Sequence, residues 1–217
     1  MKKTLILIAV FFVTFSVSYA QTEKGNQSLG LNLAFAYNNS SGAVITNGNS
    51  QSAGGKVTQF SIGPSYSYFI ANKLDIGASL SYGTNTSTYL PSYNPSKYSS
   101  NDVGGIVYIR KYCMFNDKVG LRTGPYIGYN FGDVKYVYNS APAANQDTKT
   151  DYYNAGMRLE LVYFPSKKFG FSTYLASFDY SHYKSDSGTA GHMSGDNVYL
   201  NLINSNLALS VYYVFGK

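Results

Sequence analysis

The sequence predicts an all-β fold, an eight-stranded antiparallel up-and-down transmembrane β-barrel. Three observations lead to this prediction. Large apolar residues recur at every second position through most of the chain, long and short connections alternate between these segments, and the chain begins with an export signal. A period of two places successive side chains on opposite faces of a strand. The chain has 217 residues, a length that suits one domain or one barrel.

The N-terminal stretch MKKTLILIAVFFVTFSVSYA has the three parts of a secretory signal peptide. Lys2 and Lys3 give a positive start, residues 5–15 form an apolar stretch, and a small residue, Ala20, ends a short cleavage region. The apolar stretch is shorter than the roughly 20 residues that a permanent membrane-spanning helix needs. We therefore expect residues 1–20 to be removed on export and residues 21–217 to form the mature barrel domain.

The clearest hairpin is FSIGPSYSYFIANKLDIGASLSYG, residues 60–83. Phe60, Ile62 and Leu80 belong to a face of large apolar side chains, whereas the opposite face is mainly serine and glycine. Residues 71–73 separate the two alternating segments and predict a tight turn. Pro64 lies in a strand that has no free edge in a closed barrel. We therefore expect a bulge or a missing ladder hydrogen bond there.

Further segments alternate in the same way and bring the strand count to eight. In chain order they are QSLGLNLAFAY before the hairpin and, after it, VGGIVYIRKY, VGLRTGPYIGYNF, YNAGMRLELVYF, FGFSTYLASFDYSHY and a last strand near Val198 to Phe215. In FGFSTYLASFDYSHY, Phe178 and Tyr180 are one position out of phase with the apolar residues before them. This shift predicts a β-bulge near Ala176 and Ser177.

The connections between these strands alternate strictly between long and short. The long ones are NNSSGAVITNGNSQSAGG, TNTSTYLPSYNPSKYSSN, DVKYVYNSAPAANQDTKTD and SDSGTAGHMSGDN, and their Ser, Asn, Gly and Pro content predicts loops. The short ones lie at residues 71–73, 114–118 and 165–168. In an up-and-down barrel this places four long loops at one end, and the short turns and both termini at the other.

The composition of the two strand faces decides which face points outward. Only 13% of the residues are charged, and the polar faces consist largely of Ser, Gly and Asn. A soluble barrel such as a lipocalin would need a charged exterior. The sequence instead favours an inverted arrangement, with apolar side chains against lipid, small polar side chains inside, and Tyr and Phe near the strand ends. Eight strands leave a lumen that side chains fill, which argues against an open pore.

The signal peptide, the hairpin GPSYSYFIANKLDIGASLSYG, the final strand LALSVYYVF and the alternating loops resemble the outer membrane protein β-barrel domain family, the small porin-like or OmpX-like barrels of Bacteroidetes-type Gram-negative bacteria. The resemblance implies a place in the outer membrane with periplasmic termini, surrounded by lipid and lipopolysaccharide. It also implies assembly by the barrel insertion machinery through an apolar signal in the last strand. That signal comprises Leu207, Leu209, Val211, Tyr213 and Phe215. Such signals usually end on the aromatic residue, whereas here Gly216 and Lys217 follow.

Charged residues on the polar faces are few and lie near the short turns. They are Asp75, Arg110, Arg122, Arg158 and Glu160. Because their heights along the barrel overlap when shear between neighbouring strands is taken into account, we predict a hydrogen-bonded ion network that blocks the periplasmic half of the lumen. The alternative is that each charge is solvated in a separate water pocket.

Other chemistry finds little support in the sequence. His192, Met193 and Ser194 share the His-x-Ser spacing of lipid A deacylases, with Asp196 nearby, but they lie in a segment that is predicted to be a Gly- and Ser-rich loop. Two histidines and one cysteine do not make a metal site, and we predict no cofactor. Cys113 is either an inert packed thiol or a site of intermolecular oxidation, and we favour the packed thiol. Scattered basic residues argue against nucleic-acid binding.

The sequence thus favours a non-enzymatic, monomeric outer-membrane barrel. Its long loops would bind an extracellular protein or another surface ligand, or its body would support envelope integrity. The first alternative is passive transport of small solutes through a narrow, porin-like lumen, and the second is a lipid A-modifying enzyme.

Overall fold

A computed structural model describes residues 19–46, 49–89, 97–138, 146–186, 191–202 and 207–216. Most of the predicted signal peptide, residues 1–18, lies outside the described residues. The described chain contains a short 3-10 helix, Tyr19–Thr22, and nine strand segments. These segments are β1 (Gln27–Thr46), β2 (Asn49–Ala71), β3 (Leu74–Tyr89), β4 (Lys97–Met114), β5 (Val119–Val137), β6 (Gln146–Tyr163), β7 (Phe169–Asp186), β8 (His192–Leu202) and β9 (Leu207–Phe215).

The strands form an antiparallel ring. Each of β1 to β7 pairs with the next strand along the chain, and β9 closes the ring by pairing with both β7 and β1. Because β8 also pairs with β7, β8 and β9 together occupy one place. The ring therefore has eight strand positions, which confirms the predicted eight-stranded, up-and-down fold. The predicted last strand, near Val198 to Phe215, is present as these two segments.

The ring is hydrogen-bonded unevenly around the first and last strands. β1 pairs with β9 from Gln27 to Phe35, whereas above Phe35 the described part of β1 pairs with β2 alone. β8 pairs with β7 and, within the described ranges, has no ladder with β1. The side chain of Tyr199, on the inward-facing row of β8, is accordingly 51% exposed.

Large apolar side chains face outward. Leu80 and Ile127 are more than 60% exposed, whereas Ser67 and Asp75, on the opposite faces, have no exposed surface. This distribution confirms the inverted arrangement that the sequence predicts. An apolar cluster does lie inside, at the end with the short turns. It comprises Phe69, Tyr112, Val162, Phe164, Tyr212 and Val214.

The short turns are confirmed, but the prediction of four long loops is wrong. β1 ends at Thr46 and β2 begins at Asn49, and in the other three connections the strands likewise extend well into the predicted loops. The stretch HMSGDN forms the start of β8 rather than a loop. Ladder hydrogen bonds to a neighbouring strand hold these polar residues in extended conformation despite their low strand propensity.

The predicted bulge in the seventh strand is present. Leu159 of β6 pairs with Ala176, but the next residue, Glu160, pairs with Tyr174. Leu175 is therefore the extra residue, one position before the predicted site. The bulge restores the alternation, so that the apolar residues beyond it return to the outer face.

A missing stretch of ladder at Pro64 confirms the prediction for that residue. The β2–β3 ladder skips Gly63 and Pro64 without a change of register, and the β4–β5 ladder skips Gly124 and Pro125 in the same way. In both places proline has no N–H to donate. A Cβ atom added at either glycine would overlap a carbonyl oxygen of the facing strand. Each Gly-Pro pair thus combines a missing donor with a close backbone approach.

We expect Gly124→Ala to destabilise the barrel by about 1–3 kcal/mol, because the added methyl group meets the fixed backbone of β4 rather than a movable side chain. The measurement is the urea midpoint of unfolding in lipid vesicles. The control is Gly105→Ala, where the new Cβ would lie 3.2 Å from Leu80 Cδ2 and 3.3 Å from the Ser79 carbonyl oxygen, whereas at Gly124 it would overlap the Ile109 carbonyl oxygen. Equal midpoints for the two variants would contradict the expectation.

Candidate functional site in the lumen

The five charged residues predicted to enter the lumen lie on the inner faces of β3 to β6. The strand register sets two oppositely charged pairs directly opposite each other, Asp75 with Arg110 and Arg122 with Glu160. Arg158 has Gly124 opposite it instead of an acid. Register therefore determines which of the charges meet.

Asp75 and Arg110 form a bidentate ion pair. Arg110 donates from Nη2 to Asp75 Oδ2 at 2.6 Å and from Nε to Oδ1 at 3.1 Å. The Asp75 side chain is completely buried, and the guanidinium lies 3.9 Å from the ring centre of Tyr108. Bidentate geometry and an aromatic face are what arginine favours when it is buried.

Arg122 and Glu160 form the second ion pair, and both side chains are buried. Arg122 donates to Glu160 Oε2 from Nε at 2.9 Å and also from Nη2. Ser172 of β7 accepts a hydrogen bond from Arg122 Nη2 at 2.7 Å, and its hydroxyl lies 3.0 Å from Glu160 Oε2. These bonds offset the cost of removing both charges from water.

Tyr112 joins the two ion pairs. Its hydroxyl donates to Asp75 Oδ2 at 3.2 Å and accepts from Arg122 Nη1 at 3.2 Å. A continuous chain of polar contacts thus runs across the lumen from Arg110 to Ser172. We call this set the charge layer: Asp75, Arg110, Tyr112, Arg122, Glu160 and Ser172.

Arg158 lies outside this chain of contacts. It stacks on Tyr126, 3.9 Å from the ring centre, and donates from Nη1 to the Tyr174 hydroxyl at 3.2 Å. Tyr126 in turn donates to Asp179 Oδ1 at 2.5 Å. An aromatic ring therefore separates this arginine from an acid. The structure brings four of the five predicted residues into the charge layer and holds the fifth beside it.

Sequence reasoning missed Tyr112, Ser172, Tyr126 and Asp179. All four lie on inward-facing rows, so the alternation of each strand could have identified them, with the bulge at Leu175 taken into account for Asp179. What alternation could not show is that the Tyr112 hydroxyl reaches two ion pairs, since this depends on the relative heights of three strands.

Little space is left beside these groups. The cavity that Arg110, Arg122 and Arg158 line has a volume of about 30 Å³, enough for a single water molecule. Hydrogen bonds from Asn32 Nδ2 to Ser79 Oγ at 2.8 Å and from Ser210 Oγ to Asn32 Oδ1 at 2.7 Å close the opposite wall.

The segment before β1 covers the end of the lumen that carries the short turns. Gln21 and Thr22 are both buried. Gln21 Nε2 donates to the Ser166 carbonyl at 3.0 Å, and Lys73 N–H donates to the Thr22 carbonyl at 2.7 Å. Together with the internal apolar cluster, this segment closes the lumen below the charge layer.

The residues of the proposed catalytic alternative are not assembled into a triad. Nδ1 of the highly exposed His192 lies 3.6 Å from Asp186 Oδ2, whereas Asp196 accepts from Tyr180 and lies 3.0 Å from His182 Nδ1. No hydrogen bond joins Ser194 to either histidine in the described part of the chain. The described residues also contain no cluster of three His, Cys, Asp or Glu side chains that could bind a metal ion.

Cys113 is exposed, and its thiol is free. The favoured prediction of a packed thiol is therefore wrong. Cys113 is on the outer row of β4, because its neighbour Tyr112 is buried inside.

The predicted assembly strand lies at the closure of the ring. β9 pairs with β1 along its whole length, from Leu207 to Phe215. Leu209, Tyr213 and Phe215 are exposed on the outer face, and the Tyr213 ring packs 5.3 Å from that of Phe169 on β7. Val211 follows the same outward row but is only partly exposed.

Comparisons with known proteins identify the fold. A family model described as outer membrane protein beta-barrel domain matches residues 19–216. The outer membrane protein OprG of Pseudomonas aeruginosa is similar in structure, with a TM-score of 0.54 and 13% sequence identity, over 91% of this chain and 99% of OprG. A major outer membrane protein of Thermus thermophilus has a TM-score of 0.45 and 10% identity, over 88% of this chain and 99% of that protein.

A search of curated proteins found no match. Among the described residues, no helix has the length and hydropathy needed to cross a membrane.

We expect Glu160→Ala to destabilise the protein by about 3–5 kcal/mol, because it leaves the buried Arg122 without its carboxylate. The measurements are the urea midpoint and the heat-modifiable gel shift. The double variant Arg122→Met, Glu160→Leu removes both charges and should be closer to wild type. Asp147→Ala, which removes the exposed partner of Lys135, serves as the control and should change neither measurement. A wild-type midpoint for Glu160→Ala would show that the charge layer does not stabilise the fold.

Proposed function

Since the chain belongs to the outer membrane protein beta-barrel domain family and is an integral barrel of the bacterial outer membrane, we propose that its lumen is sealed and that it is not an enzyme. It acts instead through its extracellular hairpins. In this proposal the body of the barrel supports the envelope, and the hairpins contact an extracellular protein or another surface ligand. Residues 1–20 act as the signal peptide, and both termini are periplasmic.

The observation that carries the proposal is the closure of the lumen. The charge layer spans the interior with direct side-chain contacts, and buried side chains with the segment at Gln21 and Thr22 close the periplasmic side. A hydrated ion would have to break the two buried ion pairs, because the cavity beside them has a volume of only about 30 Å³. This favours a role outside the lumen over passive transport.

The hairpins support the second half of the proposal. β1 and β2 remain paired as far as Thr46 and Asn49, well beyond Tyr37, where the uninterrupted row of large residues at alternate positions of β1 ends. The other three hairpins are also extended by polar, paired residues. Paired strands present side chains in a fixed order, which suits recognition better than a mobile loop does.

Lipid A modification has less support. A hydrolytic triad needs a nucleophile in contact with a base that a third group orients. In this protein His192 lies near Asp186, while Asp196 contacts Tyr180 and His182, so the acid and the base of the proposed set belong to different pairs.

The location in the outer membrane indicates which molecules contact the barrel. We propose that outer-membrane lipid and lipopolysaccharide contact the exposed apolar rows, that the barrel insertion machinery recognises β9, and that the barrel is a monomer.

We expect the wild-type barrel to produce no stable conductance steps in planar bilayers, because the charge layer and the apolar cluster below it block ion passage. The same measurement on the variant Tyr112→Ala, Arg122→Ser, Glu160→Ser, checked for folding by its gel shift, reports whether the charge layer contributes to the seal. Reproducible single-channel currents from the wild type would contradict the proposal and favour transport.

A shortened first hairpin tests the role of the extracellular surface. Asn38 and Val57 are register partners, so replacing residues 39–56 with Asn-Gly should rejoin the strands through a tight turn. We expect the shortened barrel to keep its gel shift, while bacteria that display it adhere less well to host cells. Replacing residues 187–190 with four glycines controls for a change at another hairpin. Unchanged adherence of the shortened barrel would show that this hairpin is not required for adherence.

A further inference from the structure

A second, larger cavity lies on the extracellular side of the charge layer, between β1, β2, β3 and β4. Its volume is about 300 Å³, large enough for a small organic molecule. Apolar groups on β1 and polar groups on β3 and β4 face each other across it. The residues whose side chains face it are Ala34, Ala36, Gln59, Asn85, Ser100 and Asp102.

Asp102 is the acid in this cavity. It lies opposite Gly83, and a Cβ atom at Gly83 would come within 2.7 Å of both carboxylate oxygens, so the glycine makes room for the carboxylate. Asp102 has no hydrogen-bond or ion-pair partner among the described residues. The carboxylates of the charge layer, in contrast, are bound by arginine. A carboxylate without a partner in a confined space is costly and is stabilised by a cation.

Asn85 provides a second acceptor without a partner. Its Oδ1 atom is buried and accepts no hydrogen bond, and it is the one buried side-chain N or O atom in this condition in the described part of the chain. Asn85 lies two residues along β3 from Gly83, with Ser100 opposite it on β4. Buried polar atoms are nearly always hydrogen-bonded, so an orphaned acceptor in a cavity wall indicates a missing donor.

The charges around the cavity favour a positive donor. No Lys, Arg or His side chain lines it. The three inward arginines lie below and are engaged with acids or tyrosines. On the opposite wall, Ala34 and Ala36 supply the apolar side chains, because they lie on the inward-facing row of β1.

We propose that this cavity binds a small organic molecule with a primary ammonium group and an apolar substituent. The ammonium N–H groups donate to the Asp102 carboxylate and, after rotation of the Asn85 side chain into the cavity, to Asn85 Oδ1, and the apolar substituent lies along β1 at Ala34 and Ala36. This inference goes beyond the proposed function and stands whether or not the lumen conducts, because the cavity lies wholly on the extracellular side of the charge layer.

The test is isothermal titration calorimetry on the full barrel in detergent, with phenethylammonium as the probe and the uncharged 2-phenylethanol for comparison. We expect the ammonium to bind and the alcohol, which has the same ring and chain, to bind at least about tenfold more weakly, because a hydrogen bond to a charged group contributes about 1.5–3 kcal/mol.

Asp102→Asn keeps the shape of the side chain and removes its charge. We expect it to weaken phenethylammonium binding by about tenfold or more, and Asn85→Leu to weaken it by a smaller factor. Asp133→Asn, which removes an exposed acid on the neighbouring strand β5, is the matched control and should bind like wild type. The gel shift verifies the fold of each variant.

Three results would overturn the proposal: no binding of phenethylammonium to the wild type, equal binding of the alcohol and the ammonium, or wild-type affinity in Asp102→Asn. The comparison of the two ligands uses the wild type alone, so it remains decisive even if a variant does not fold.

Discussion

The buried ion pair between Arg122 and Glu160 is the interaction on which the interior depends. Eight strands enclose too little space for a hydrated lumen, so a charge that enters it must find its partner among protein groups. Arg122 meets this requirement through Glu160 and Ser172 and, by way of the Tyr112 hydroxyl, contacts the pair formed by Asp75 and Arg110. The inner faces of β3 to β7 are thereby linked on their polar side, while their outer faces remain free to carry apolar side chains.

Much of the architecture could be predicted from sequence because lipid imposes a regular constraint. Every second residue of a spanning strand must be apolar, and a closed ring excludes irregular edges. The strand faces, the short turns, the bulge near Leu175 and the gap at Pro64 all follow from this constraint. This constraint ends where the chain leaves the membrane, and there the composition wrongly predicted loops. Segments rich in Ser, Asn and Gly continue as strands, because a paired neighbouring strand supplies hydrogen bonds that strand propensity does not reflect.

The interior was less predictable than the exterior. Alternation could place Arg110, Arg122 and Arg158 on inner faces, but it gave them no relative heights, and these heights decide which acid each one meets. Arg158 shows the limit most clearly. It is only two residues from Glu160, yet register places Gly124 opposite it, and it contacts tyrosines instead of a carboxylate. The cavity around Asp102 and Asn85 could not be predicted from sequence for a related reason. That a polar group lacks a hydrogen-bond partner can be recognised only when the positions of all its neighbouring side chains are known.

The uneven ladder around β1 has a mechanical consequence. On one side β1 is paired with β2 along its whole length, whereas on the other its ladder to β9 ends at Phe35, and β8 is joined to β7 alone. In the described part of the chain, the two ladders of β9, with nine residue pairs to β1 and four to β7, are the shortest in the ring. The junction of the first and last strands should therefore open before the rest of the ring. Local opening and amide exchange should begin at its upper end, whereas β3 to β6, which the charge layer links on the inside, should open last.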